Sequence, residues 1–399
     1  MVHMAVKIPK EQIIDRVLRH FSRQTTFSVL LRSYLSILVI GAIDYVTGPF
    51  LPMLVFYLIP IIVVTWFIGR NAGLFISIVS SMGCLLKEIL FYPIFPNDSM
   101  LSFLLLLWDP LTSISIFLIV VLTLSAMRKA KDEELLFEFK VAAEVQSRLL
   151  PQSFPALKTL SYSAICKSTN DVGGDYYDFL TIEPNKLGIA IGDIAGKGIS
   201  AALLMANLQG LLRSYAPLHS DDIVKLMSAI NNSLYACTES NKFATLFYGL
   251  YDDMNQTLTY VNAGHNPPLI FHKDNNLSVS KLVAADVLPV SLNHEKRNNE
   301  VIRLDRGGAV IGAFLDVVYE SNRIQLSLGD TIVFFTDGLL EARNFAHEQY
   351  GEDRLLRIVS DNLHCSSNNL HDIIMEDVNK FSGSGNQFDD ITLIVAKVN

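Results

Sequence analysis

Gly192-Asp193-Ile194-Ala195-Gly196-Lys197-Gly198 is the stretch that decides how the rest of the chain is read. Leu187-Gly188-Ile189-Ala190-Ile191 before it has strand character, and Gly198 to Tyr215 after it has helical periodicity. Asp193 therefore ends a strand, with its carboxylate at the sheet edge, and Gly196 and Gly198 let backbone carbonyls approach a cation. Three more aspartates stand in similar settings: Gly173-Gly174-Asp175-Tyr176-Tyr177-Asp178, Phe335-Thr336-Asp337-Gly338 and Phe388-Asp389-Asp390-Ile391-Thr392. An aspartate beside glycine is commonly a turn residue, so each taken alone means little. Four in order predict a divided site for hard divalent cations, Mn2+ or Mg2+, which take oxygen ligands. In Asp389-Asp390, adjacent strand side chains point to opposite faces, so one reaches a central site and the other does not. Asp178, three residues beyond Asp175, is expected to face away, either supporting the site from outside or lying at the surface.

Around these motifs the chain reads as short β-rich runs separated by turns. Leu187 to Ile191, Ala244 to Tyr251, Thr257 to Val261, Thr331 to Phe335 and Ile391 to Ala396 are expected strands. Gly198 to Tyr215, Asp221 to Cys237, Asp353 to Asn362 and Leu370 to Phe381 are expected helices. Strands that follow one another without regular intervening helices favour antiparallel sheets, and a layered α+β sandwich with helices outside two sheets is the economical arrangement.

The first third differs. Phe27 to Val46, Leu51 to Phe67, Ala72 to Leu90 and Leu101 to Leu124 are apolar runs near the ~20 residues that cross a bilayer, which predicts an all-α domain of four transmembrane helices over 27–127. Asp44, Lys87 and Asp109 fall within or at the ends of these runs, where charges mark either a ligand pocket or a membrane interface. Lys and Arg cluster before the first run, between the second and third, and after the fourth, so both termini are expected in the cytoplasm and the protein in the cell membrane. Residues 1–26 contain Ile13, Ile14, Val17, Leu18 and Phe21 on one face of a basic helix. Residues 128–150 form a polar linker helix ended by Pro151, with Leu135, Phe139, Ala142, Gln146 and Leu149 at a 4-3-4-3 spacing. That spacing suits a homodimer seam and equally a helix that caps the domain at 151–399.

Composition narrows the classes further. A net charge of -8 and the lack of a basic, aromatic stripe argue against a nucleic-acid partner. The four cysteines, Cys84, Cys166, Cys237 and Cys365, have no paired spacing and read as reduced thiols rather than a zinc site. Gly192 to Gly198 is one residue short of a phosphate-binding loop with GK[ST] and lacks its hydroxyl. Gly173-Gly174-Asp175-Tyr176 superficially matches the diguanylate cyclase signature, with tyrosine in place of its glutamate. A cyclase-like signalling enzyme is the alternative reading, and a non-catalytic pseudophosphatase scaffold another.

Residues from about Ala142 to Val398 resemble bacterial PPM (PP2C-like) serine/threonine phosphatases of the SpoIIE/RsbU sigma-regulator type. The resemblance rests on the four aspartate segments, on Ala142-Ala143-Glu144-Val145-Gln146-Ser147-Arg148-Leu149-Leu150-Pro151, on Asn262-Ala263-Gly264-His265-Asn266-Pro267-Pro268 and on the run from Gly329 to Ala342. It implies an α-β-β-α sandwich and two Mn2+ or Mg2+ ions bridged by Asp193. The carbonyl of Ile194 and Asp175 would serve one ion, and Asp337 and Asp389 the other. It further implies hydrolysis of phosphoserine or phosphothreonine by activated water, with no phosphoenzyme, on a STAS-domain anti-sigma-factor antagonist. His265 is a candidate general acid, although a histidine in a Gly-His-Asn-Pro turn is more often structural. Two departures are Ala195, where many relatives have serine, and a longer, polar stretch from Leu282 to Arg306. The apolar segments at Ile43 to Gly48, Phe56 to Pro60 and Trp66 to Arg70 are similar to four-helix sensor regions of bacterial histidine kinases and diguanylate cyclases.

Overall fold

The computed structural model describes residues 24–47, 53–91, 100–169, 172–238, 242–272, 301–383 and 389–399. The basic amphipathic segment at Ile13 to Phe21 and most of the Leu282 to Arg306 stretch lie outside them. The chain divides into two compact units, Met1–Phe137 and Glu138–Asn399.

The first unit is helical: α1 (Thr26–Thr47), α2 (Leu54–Phe67), α3 (Arg70–Phe91) and α4 (Met100–Leu149), the last continuing into the second unit. Two of these are long and apolar enough to cross a membrane, Thr26–Thr47 and the stretch from Pro110 along α4, whereas the apolar runs predict four. The reasons are physical. Helix α2 has 14 residues, so it is only about 21 Å long, and α3 carries Arg70, Asn71, Lys87 and Glu88 among small and hydroxyl residues that dilute its hydropathy. The unit has its own core, formed by Ile37, Tyr57, Ile61, Val64, Ile76, Phe117 and Val121. Inside it Asp44, 3% exposed, meets Lys87 at 3.4 Å. The linker helix ends at Leu149, ahead of Pro151, and it is continuous with the last apolar run.

The second unit contains β1 (Leu160–Lys167), β2 (Tyr176–Glu183), β3 (Lys186–Ile194), α5 (Ile199–Tyr215), α6 (Ile223–Cys237), β4 (Ala244–Asp252), β5 (Thr257–Ala263) and β6 (Leu269–Phe271). Then come β7 (Ile302–Arg303), β8 (Gly307–Gly308), β9 (Asn322–Gln325), β10 (Thr331–Phe335), α7 (Asp337–Glu341), α8 (Glu352–Asp361), α9 (Ser367–Ser382) and β11 (Ile391–Val398). One sheet runs β1-β11-β10-β6-β7 and the other β2-β3-β4-β5-β8, with β9 also on β5. All pairs are antiparallel except β5 with β8.

Burial on both faces makes the central strands continuously apolar. In β10, Ile332 and Phe334 point into the layer between the sheets, where Ile191, Phe247 and Ile394 also sit. Val333 and Phe335, on the opposite face, pack with Val359, Ile374 and Val378 of α8 and α9. Tyr176, Ala190, Tyr248 and Val261 of the other sheet pack with Met205, Leu208, Met227 and Ile230 of α5 and α6. Three apolar interfaces thus join four layers of structure in the order α-β-β-α, the α+β sandwich expected from the strand spacing. Strands β1 and β2 are not among the strands the sequence predicts; β2 follows the Gly173-Gly174 turn and its polar residues Asp178, Thr181 and Glu183 obscure its period.

Candidate metal centre

Each predicted aspartate stands at the end of a strand or just outside one. Asp193 is the penultimate residue of β3, opposite Thr245 in β4, and its N–H donates to Thr245 Oγ1 at 3.2 Å. Asp175 precedes β2 and is 3% exposed; its Oδ2 accepts from Thr336 Oγ1 at 2.8 Å and Thr392 Oγ1 at 2.7 Å. Asp337 opens α7 directly after β10, where the helix N-terminus favours a carboxylate. Asp389 lies two residues before β11 and pairs with Lys197 Nζ at 2.9 Å.

Close backbone approach lets these segments meet. A side chain on Gly174 would begin 3.0 Å from the carbonyl oxygen of Ile194 and 3.4 Å from Asp193 Oδ1. A side chain on Gly338 would strike the Asp390 carbonyl. The Asp390 carboxylate accepts from Gly174 N at 2.9 Å and Thr169 N at 2.7 Å, so it turns away from Asp389 and fixes the loop that carries Asp175. Gln146 of α4 holds the same loop from the other side: its Nε2 donates to the Gly173 carbonyl at 2.7 Å and its Oε1 accepts from Gly173 N at 3.0 Å. Sequence reasoning places Gln146 in a helix that is either a dimer seam or a cap on the following domain, and assigns its side chain no partner. It also misses Thr336 and Thr392, whose signal is their position beside Asp337 and Asp390.

The carboxylates act on one another. Burial first, and then repulsion from Asp337, Asp389 and Asp390, pushes Asp193 up to about 7. Burial raises Asp175 well above the carboxylate range against its two threonine hydrogen bonds, with Asp193 and Asp390 adding repulsion. Burial also raises Asp337, assisted by Glu341 and Asp389. Repulsion of this kind is what a hard cation relieves, and the set of carboxylates with the Ile194 carbonyl is an all-oxygen donor set suited to Mg2+ or Mn2+. Among the described residues no three His, Cys, Asp or Glu side chains close to coordination distance of a single point. Asp389 is engaged instead by Lys197 at 2.9 Å.

Two other candidates lie elsewhere. Asp178 faces away from Asp175, as expected, but it is not a surface residue: it is fully buried and held by Arg213 Nε at 2.7 Å and Tyr176 Oη at 3.0 Å. His265 is 5% exposed, and burial drives its imidazole down to about 4, so it is neutral. Its Nδ1 meets Thr245 Oγ1 at 2.9 Å and its N–H donates to Asn262 Oδ1 at 2.7 Å, a structural role in the turn after β5. None of the four cysteines is in a disulfide.

Comparison with known proteins adds the lineage. The family model described as Stage II sporulation protein E (SpoIIE) matches residues 183–399, more than half of the chain. Protein IcfG of Synechocystis sp. is 27% identical over 293 residues, 67% of this chain and 42% of that protein. Phosphoserine phosphatase RsbU of Bacillus subtilis is 29% identical over 213 residues, 53% of this chain and 56% of that one. The chain thus spans about half the length of these curated relatives. Among solved structures, the SiaA-PP2C domain of Pseudomonas aeruginosa superposes with a TM-score of 0.56 at 17% identity, covering 68% of this chain and 99% of that domain, which shows a PP2C-like fold.

Proposed function

This chain belongs to the SpoIIE family of PP2C-like proteins, and from that premise we propose that it is a membrane-held, metal-dependent protein phosphatase. Its substrate is phosphoserine or phosphothreonine on a signalling protein, and the STAS-domain anti-sigma-factor antagonists are the first class to test. One observation carries the reading: Asp175, Asp193, Asp337 and Asp389 come from four separate strand ends, with Asp337 and Asp389 acting on Asp193 and Asp193 acting on Asp175. The phosphoserine phosphatase named among the relatives supports the choice of reaction.

In this reading Asp193, Asp175 and the Ile194 carbonyl, with Asp337 and Asp389, would hold two divalent cations, Asp193 being the ligand that both would share. The ions, Mn2+ or Mg2+, lower the pKa of water and neutralise charge on the phosphoryl oxygens. The chain's own residues do the rest. Thr336 and Thr392 fix the Asp175 carboxylate, and their short hydrogen bonds keep one oxygen engaged while the other stays available. Gly174 leaves room for the Ile194 carbonyl. Asp390 and Gln146 hold the Gly173-Gly174 turn from opposite sides. No nucleophilic side chain is required, and His265, buried in the turn after β5 and bonded to Thr245, is assigned a structural role.

The apolar helices α1 and α4 are the proposed membrane spans, with α2 and α3 completing a four-helix sensor bundle and 138–399 in the cytoplasm. The exposed Leu31, Leu35, Leu38, Ile59, Leu111 and Ile119 form a surface suited to lipid and costly in water. Residues 128–150 would link sensor to catalyst and could pair with a second copy only along the exposed part around Leu135, because Gln146 is engaged within its own unit.

The test is phosphate release by the full chain in detergent from a phosphoserine protein, with and without Mn2+, beside Asp193→Asn and Asp337→Asn. Mn2+-dependent release lost in both variants is the expected result. Absence of release with retained binding of the phosphoprotein would instead make the chain a scaffold, and GTP turnover would restore the cyclase alternative.

A further inference from the structure

A second polar site lies in the N-terminal unit, apart from the aspartate cluster. Helix α2 ends at Phe67 and α3 begins at Arg70, so the chain reverses through Ile68 and Gly69. Gly69 has φ 133°, a backbone angle that other residues rarely adopt. Helix α4 passes this reversal, and Thr65, Arg70, Ser125, Arg128, Lys129 and Asp132 are among the walls of a cavity of about 300 Å³. Arg70, Arg128 and Lys129 line it with Asp132, and Glu133, just outside, pairs with Lys129 at 3.6 Å, so one positive charge is left over and the lining suits an anion.

The cations are arranged rather than scattered. Arg128 Nη1 donates to the Trp66 carbonyl at 2.7 Å, and its Nε lies 3.9 Å from Asp132. A guanidinium has five N–H donors, so these contacts aim it without exhausting it. Arg70 is the first residue of a 22-residue helix, whose opening amides add positive potential at the same end. Thr65 is 1% exposed and its hydroxyl has no hydrogen-bond partner among the described residues.

The surroundings distinguish the kind of anion. On one side of the cavity, Phe56, Ile59 and Ile62 of α2 and Leu111 and Ile119 of α4 expose apolar surface; on the other, α4 turns to Arg128, Lys129, Lys131, Asp132 and Glu133. A free phosphate would use the cations alone. An anion carrying acyl chains would use both the cations and the apolar belt, and basic pockets at the cytoplasmic end of membrane helices are suited to such headgroups.

We propose that this cavity binds the phosphate of an anionic phospholipid headgroup, with Arg70, Arg128 and Lys129 as its donors. The proposal rests on the membrane reading above. The site lies on the helix that also supplies Gln146 to the Gly173 turn, so the chain has one element in contact with both a lipid and the catalytic loop.

The experiment titrates the full chain in neutral detergent with phosphatidylglycerol, phosphatidylcholine or inorganic phosphate and counts bound ligand by native mass spectrometry. Phosphatidylglycerol is expected to bind at least tenfold more tightly than phosphatidylcholine, and Arg70→Gln/Arg128→Gln to erase roughly that factor. Arg128 also holds the Trp66 carbonyl, so Arg70→Gln/Lys129→Gln, which leaves that bond intact, must show the same loss. Equal binding of the two lipids, or unchanged binding in the second variant, overturns the proposal. Occupancy by inorganic phosphate that excludes phosphatidylglycerol overturns the lipid assignment. Vesicle flotation separates the premise from the site: a chain that floats with phosphatidylcholine vesicles but shows no headgroup preference keeps the membrane reading and loses the site, while a chain that stays in solution without detergent loses both.

Discussion

Asp175 and Asp178 are three residues apart, both almost wholly buried, and the protein treats them in opposite ways. Asp178 faces the helical layer of α5, where Arg213 forks onto it with Nε at 2.7 Å and Nη2 at 3.2 Å. Asp44 in the N-terminal unit is likewise matched, by Lys87. Asp175 faces a region where the neighbouring charges are Asp193 and Asp390, and its hydrogen bonds come from neutral threonines. Burying a carboxylate without a counter-charge is costly enough that structures normally pair it or protonate it. The chain therefore has the means to neutralise a buried aspartate and applies them on one side of β2 and not on the other. If the acidic cluster is the metal centre proposed above, stability and activity should respond to substitution there with opposite signs.

The largest effect expected is at Asp193. Asn there should lower Mn2+-dependent phosphate release by roughly a thousandfold, since two-ion catalysis supplies several kcal/mol, and should raise the unfolding midpoint of the metal-free chain by removing a repelled charge. If Asp193→Asn destabilises the metal-free protein, the cluster is structural and the contrast with Asp178 collapses. Arg213→Met is the counterpart. It strands Asp178 in the interior and should cost roughly 3 kcal/mol of stability, read by denaturant titration, while leaving metal affinity within a factor of two or so by calorimetry. A drop in Mn2+ affinity of the order seen at Asp193 would mean that the two regions are not separate.

The pH dependence gives the next effect in size. Asp193 is raised from its ordinary value to about 7 in the folded state. A raised folded-state pKa contributes stability that is full below the unfolded value and is lost as pH rises through the folded one. The metal-free chain should therefore lose stability between pH 5 and pH 7, with Asp175 and Asp337 shifting in the same direction. Saturating Mn2+ should flatten or reverse that slope, because the ion and the proton compete for the same oxygens. Thermal melts at three pH values with and without Mn2+ read it directly; a metal-free chain that grows more stable toward pH 7 would show that the repulsion is not felt.

How much of this is legible in the sequence follows the same physics. The position of Asp193 at a strand end can be read because an apolar run precedes it and two glycines and a helix follow. The sandwich is legible because β10 and β11 are apolar on both faces, as strands between two layers must be. Strand β2 is not, since its polar residues serve partners distant in sequence or on its own face: Asp178 its ion pair with Arg213, and Tyr176 a hydrogen bond to Asp178. The roles of Asp389 and Asp390 are separable in principle by strand alternation, yet that Asp390 is the loop holder depends on Gly174 and Thr169, more than two hundred residues upstream, which no local pattern encodes. The apolar runs of the first unit are visible, but apolarity alone overcounts the long helices because α2 closes after 14 residues.

Gln146 gives the smallest and most discriminating effect. Its amide clamps the Gly173 peptide with both its donor and its acceptor, so Ala would leave two backbone groups to find other partners at about 1 kcal/mol each. The loop it releases still has Asp390 on its other side. Stability should consequently fall by no more than about 2 kcal/mol, while Mn2+ affinity falls by roughly three- to tenfold because Asp175 is less well placed. Gln146→Glu separates the two halves of the clamp: the new carboxylate could still accept from Gly173 N but would meet the Gly173 carbonyl with another acceptor, and it would add charge near an acidic cluster. This variant should behave like Ala in loop order, read by hydrogen exchange of the 172–175 amides, and yet differ from Ala in salt dependence. If Ala leaves both exchange and Mn2+ affinity unchanged, Asp390 alone fixes the loop and the end of α4 contributes packing rather than position.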